Sequence, residues 1–159
     1  AELVITRKTL LKRFDNAMAT IDKRMLDCIA TGGYQDDYRR CLSIPGVGPI
    51  NAAALVAIYH RGEFSKSDAF IAFMGLDVRV RESGYFKGKR KLSKQGSPEM
   101  RRLLFNAARA GAKTKQWNDC YIAMRARGHS TTATAVALSR KIARLAFALM
   151  RDQSEFRPV

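Results

Sequence analysis

Apolar residues recur with a helical period along most of the chain. Leu11, Phe14, Met18, Ile21, Met25 and Cys28 are spaced by three and four, and Lys12, Arg13, Asp15, Asn16, Asp22, Lys23 and Arg24 fill positions between them. The pattern predicts a helix over 4–30 with one apolar stripe, about three heptads long, as a coiled-coil seam requires. That stripe either pairs with another subunit or partner domain, or packs on the chain's own domain. Gly32-Gly33 ends it. Short helices are expected near 35–42 and 49–59, and Phe64 anchors the loop that follows. Ser67 is placed to cap a helix bearing Phe70, Ile71, Phe73 and Met74, with Gly75 as its stop. Ser97-Pro98-Glu99 opens another helix as cap, first-turn proline and first-turn acid. Leu103, Leu104, Ala107, Ala108 and Gly111 give that helix a small, apolar face. Two more are expected, over Trp117–Arg127 with Trp117 in the core and over 132–150, separated by Gly128-His129-Ser130. The expected fold is mainly α. A connecting coiled-coil-like helix (1–33) precedes a helical domain (34–152) and a tail (153–159) that frays.

Residues 77–96, DVRVRESGYFKGKRKLSKQG, break the period. Val78 and Val80 alternate with Arg79 and Arg81, and Tyr85-Phe86 falls where a second strand or a loop tip would be, so a basic loop or short hairpin is expected. A long stretch of this kind inside a compact domain is more often functional than not.

Residues 44–49, IPGVGP, supply a second irregular element. Gly46 and Gly48 permit backbone angles that a Cβ resists, and Pro49 suits the first turn of a helix. Helix, tight turn, helix is the helix-hairpin-helix pattern, whose outward amides at Gly46, Val47 and Gly48 suit a phosphate. An ordinary corner between two helices is the plain alternative.

Charge favours the phosphate. The chain has 159 residues, 47% of them hydrophobic, and a formal net charge of +15. Twelve Lys/Arg against Glu82 and Glu99 lie between Arg79 and Lys115, a net +10 in about a quarter of the chain. Such a concentration suits a polyanion. The candidate contacts are Arg79, Arg81, Gly84, Lys87, Lys89, Arg90, Lys91, Lys94, Arg101 and Arg102. No apolar run approaches the roughly 18–20 residues that span a bilayer, and no signal-peptide pattern opens the chain. Cys28, Cys41 and Cys120 match no zinc or redox spacing and read as buried small hydrophobes in a reducing compartment. A bacterial-type cytoplasmic or nucleoid-associated location is expected. The first residue is Ala, so a piece of a longer protein is expected.

The acids are few and scattered, with no pattern that converges on a metal. No Walker motif, dinucleotide fingerprint or Cys–His pair is present. Composition alone therefore favours a binding module. Ser83 and Tyr85 are the hydroxyls in the cationic stretch that can attack a phosphate, with Arg79, Arg81, Lys87 and Lys89 placed to stabilise the added charge.

The segments IPGVGPINAAALVA, FSKSDAFIAFMGLDVRVRESGYFKGK and LSKQGSPEMRRLLFNAARA resemble, in order over 41–150, the C-terminal domain of the DEDD-type insertion-sequence transposases, the serine-dependent, bridge-RNA-guided recombinase family. The resemblance implies a DNA-binding domain for DNA transposition with Ser83 as nucleophile, Gly84 behind it, and Glu82 where the family often has another serine. It also implies a preceding resolvase-like domain that binds Mg²⁺ through four acids. That domain is not in this chain, so no cofactor is expected here and no strand exchange by this chain alone. DNA is the implied partner, a guide RNA a further candidate, and pairing of copies through the first helix is expected. The alternative is a non-catalytic helix-hairpin-helix module.

Overall fold

A computed structural model describes residues 2–79, 82–83, 86–87 and 91–157, with the backbone alone for Glu2, Glu82, Ser83, Phe86 and Lys87. The described residues are mainly helical, as expected. The helices are α1 (Glu2–Thr31), α2 (Gln35–Leu42), α3 (Pro49–Arg61), α4 (Ser67–Phe73), α5 (Pro98–Gly111), α6 (Lys115–Ala126) and α7 (Thr131–Arg151). Four two-residue strands, β1 (Val78–Arg79), β2 (Glu82–Ser83), β3 (Phe86–Lys87) and β4 (Lys91–Leu92), lie between α4 and α5.

The chain divides into two compact units, 1–35 and 36–159. In the first, the stripe read from the sequence is open: Leu11, Phe14, Met18 and Ile21 are 53–66% exposed.

The second unit is built around α7, which packs on α5 and α4 and also on α6 and α3. Its stripe of Leu138, Ile142, Ala146, Phe147 and Met150 is fully buried, against Leu104 of α5, Phe70 and Ile71 of α4 and Leu55 of α3 in the same core. One polar group inside is satisfied: the Ser139 hydroxyl lies 2.8 Å from the Ala135 carbonyl and 3.1 Å from that of Leu104. Phe64 meets Phe70 and Phe73 edge-on, with ring centroids 5.2 and 5.5 Å apart, and so fastens its loop as expected.

Two local expectations are corrected. Ser67 is the first residue of α4 and not its cap; Lys66 takes that position, and no side chain caps the helix. The tail does not fray over 153–156. Gln153 reaches Asp37 at 3.3 Å, the Ser154 amide donates to the Leu149 carbonyl, and the Phe156 amide donates to Ser43 Oγ.

Candidate nucleic-acid interface

The basic stretch forms two nested antiparallel pairs. Val78 faces Leu92 and Arg79 faces Lys91, while further out Glu82 faces Lys87 and Ser83 faces Phe86. Val80, Arg81, Gly84, Tyr85, Lys89 and Arg90, all invoked from the sequence, lie outside the described residues. Ser83 and Lys87 are placed by backbone pairing only.

The inner end of this ribbon is clamped. The Ser93 amide and hydroxyl both donate to Asp77. Gly96 packs so closely on the Met74–Gly75 backbone that a Cβ there would stand 2.6 Å from the Met74 carbonyl carbon. Half-buried Arg101 donates to the Gly96 carbonyl at 2.8 Å and ties the ribbon to the first turn of α5. Ser97 and Pro98 start that helix as expected, with Ser97 Oγ accepting from the Met100 amide. Arg79 donates to Gln95, while Lys91 and Lys94 are exposed. Lys94 holds φ +56°, a left-handed conformation uncommon outside glycine. Arg102 pairs with Glu99, whose carboxyl is held below its usual range chiefly by that hydrogen bond. Both are about 60% exposed, so the pair adds little to stability.

The glycine turn sits at the other end of α5. Gly46, at φ +92°, lies against the backbone of Ala107 and Gly111. Half-buried Trp117 donates from Nε1 to the Pro45 carbonyl at 3.0 Å and locks the turn in place. Val47 is buried, and its amide donates to the Ile44 carbonyl at 3.0 Å. Gly48 differs: it precedes α3 in an extended conformation, with open space where a side chain would be. Of the three turn residues read as phosphate contacts, Gly46 and Val47 are thus engaged in packing and Gly48 faces outward.

Helix α5 therefore joins the two candidate elements. Met100, Leu104, Ala107 and Ala108 bury one side, while Arg102 and Arg109, two turns apart, are exposed on the other. Arg101 and Gly111 are ten residues and so about 15 Å apart along the axis.

One polar centre has no sign in the sequence. Buried Asp37 lies 2.8 Å from Arg40 Nη1, 2.7 Å from His60 Nε2 and 3.3 Å from Gln153 Nε2. Only the Arg40 contact, three residues along one helix, has a local signature. Among the described residues no group of three or more His, Cys, Asp or Glu can hold a metal ion, and no helix is long and apolar enough to cross a membrane.

A family model described as "Transposase IS116/IS110/IS902 family" matches residues 38–122. A probable family 20 transposase of Pseudomonas aeruginosa is 28% identical over 162 positions, covering 94% of this chain and 47% of the relative. The transposase for insertion sequence element IS1111A of Coxiella burnetii is 29% identical, covering 85% and 44%. That for IS1328 of Yersinia enterocolitica is 30% identical, covering 74% and 37%. The chain thus spans less than half the length of these relatives.

Proposed function

The chain belongs to the IS116/IS110/IS902 transposase family, and from that premise we propose that it is the DNA-binding part of an insertion-sequence transposase and contributes a serine nucleophile to strand cleavage and exchange. One observation carries the reading. Within the matched segment a cationic ribbon and the glycine turn, of which Gly48 faces outward, are mounted at opposite ends of α5, with Arg102 and Arg109 exposed between them. A strand advances about 3.4 Å per nucleotide, so the distance of about 15 Å between the two ends accommodates roughly four or five phosphates.

In this reading Ser83 Oγ attacks a DNA phosphorus. A phosphoserine bond forms as the bond to one sugar oxygen breaks, and that oxygen takes up the hydroxyl proton. The pairing of Ser83 with Phe86 supports the assignment, because it carries Ser83 to the end of the ribbon remote from its clamp. Arg79, Arg81, Lys87 and Lys89 stabilise charge on the phosphate. Mg²⁺ bound by carboxylates belongs to a part of the protein beyond this chain, and no step here passes through it. A guide RNA presents the same phosphate chemistry as DNA and is a further partner. The open stripe of α1 pairs with a second copy.

The test joins this chain to the preceding half of the protein and measures strand exchange. Ser83→Ala is expected to abolish exchange and covalent attachment, and Tyr85→Phe to retain both; the reverse result moves the nucleophile to Tyr85. The outward face of Gly48 equally suits a non-catalytic module. That reading takes over if both variants exchange strands normally.

A further inference from the structure

Two cavities adjoin the first turn of α7. The first, about 780 Å³, is walled by Val78 and Leu92 from the ribbon and by Ala133 and Val136 from α7, with Lys91 and Arg140 among its lining. The second, about 580 Å³, is formed by Phe105 and Arg109 of α5 and Tyr121 and Ile122 of α6, with Lys113 at its edge. Both volumes fall within the range of about 300–1,000 Å³ that small-molecule-sized ligands fill. Thr132 lines both, so the two are neighbours across one turn of helix. Neither has an Asp or Glu among its described lining residues.

Arg140 gives the first cavity a charge that no carboxylate among its described lining residues offsets. Its Nε is shut off from solvent and has no hydrogen-bond partner among the described residues. The two carboxylates whose charge reaches it are engaged elsewhere. Asp68 accepts from Arg144 at 2.9 Å, and Asp77 accepts from Ser93. An arginine remains protonated there, and a buried donor without an acceptor is costly. Arg140 lines the cavity, so an anionic oxygen there meets its charge without reaching the enclosed Nε.

Each cavity thus combines apolar walls with two cations, the division of an unpaired nucleotide into base and phosphate. A duplex cannot supply this ligand, since its bases are stacked inside. Phe105 and Tyr121 bring aromatic rings to the second lining, and unpaired bases stack on such rings. We propose that the first turn of α7 is a saddle for a single nucleic-acid strand, which seats one unpaired nucleotide in each cavity with phosphates at Lys91 and Arg140 and at Arg109 and Lys113. The proposal rests on the nucleic-acid reading above and adds the form of strand recognised. Unpaired strands are what strand exchange and guide pairing both require.

The test measures fluorescence anisotropy of this chain with labelled oligodeoxythymidine, oligouridine and a duplex of equal length. Ala133→Phe fills the first cavity from an exposed position, Arg140→Met removes the charge, and Tyr121→Ala removes an aromatic face of the second. Each is expected to weaken single-strand binding at least about fivefold while duplex affinity stays within about twofold. An unchanged Tm for Ala133→Phe separates filling from misfolding, and Arg140→Met and Tyr121→Ala carry the test if that variant is destabilised. Tighter binding of either oligomer supports the saddle and names the strand as DNA or RNA. Unchanged single-strand affinity in all three variants, or equal loss for duplex and single strand, overturns it and leaves the nucleic-acid reading standing. Failure of the unaltered chain to bind any of the three probes overturns that reading as well.

Discussion

Gly46 rests on Gly111 so closely that a Cβ on Gly46 would lie 2.5 Å from the Gly111 amide nitrogen. Its φ of +92° adds strain for any other residue. Gly46→Ala is therefore expected to destabilise the second unit by about 2–3 kcal/mol. A Cβ at Gly111 meets the Pro45 carbonyl at 3.1 Å, a milder contact. Alanine there also recovers about 1 kcal/mol of helix propensity. Thermal unfolding should rank Gly46→Ala well below Gly111→Ala; equal Tm values contradict the contact.

Asp37 is the second structural point to test. Its removal leaves Arg40, whose side chain is 14% exposed, without its carboxylate. Breaking one side of such a pair costs about 3–5 kcal/mol. Asp37→Ala should lose that much by denaturant titration, and Asp37→Asn less, because the amide still offers an acceptor. Equal losses would assign the whole effect to the carboxylate charge, and a loss below about 1 kcal/mol in both variants would refute the pair.

The helices were legible because each has a one-sided apolar stripe and a terminal signal, such as Ser97-Pro98 or Gly75. The ribbon was harder to read. Two-residue strands show no period, and the alternation of Val78 and Arg79 continues into residues that are not described. Ser67 failed as a cap because the chain enters α4 one residue earlier, at Lys66. The role of Gly46 was half legible: its backbone freedom could be read locally, but the α5 backbone it touches is about sixty residues away in sequence. The partners of Asp37, 23 and 116 residues distant, leave no local trace. Nothing near Arg140 in the sequence singles it out, and only the tertiary fold sets it beside a cavity.

Cys41 gives the pH prediction. Burial first, and then the charge of Asp37, pushes its thiol from 9.0 up to about 12. Below pH 9 both states hold the proton and the stabilisation is complete. Above it the unfolded thiol ionises while the folded one does not, so stability falls by up to about 1.4 kcal/mol per pH unit until the folded thiol titrates as well. Tyr59, also raised chiefly by burial, acts in the same direction above pH 10. Cys41→Ala should flatten the fall between pH 9 and 10 in denaturant midpoints. Thiol reagents at neutral pH should label exposed Cys28 and spare Cys41.

Lys94 permits a test of phosphate contact that spares the fold. Asparagine tolerates the left-handed φ of +56° better than most residues, so Lys94→Asn removes a charge without added strain. Duplex binding should weaken for every sequence, and the slope of log K against log salt should become shallower by about 0.9. An unchanged slope places Lys94 outside the interface. Arg101 is unsuited to this test, because its bond to the Gly96 carbonyl also holds the ribbon.

Helix α1 poses the question of a partner most directly. Its 30 residues extend about 45 Å, and Leu11, Phe14, Met18 and Ile21 follow one another along it at 53–66% exposure. Three- and four-residue spacing makes this one seam and not scattered apolar positions. A second copy would cover such a seam residue for residue, with Phe14 and Ile21 one heptad apart. Phe14→Glu and Ile21→Glu each place a charge at the centre of that contact, whereas Lys12→Glu changes charge beside it. Sedimentation should show concentration-dependent dimers for the unaltered chain and for Lys12→Glu, and monomers for the other two. Monomers throughout would refute pairing of copies and leave the seam for a different partner.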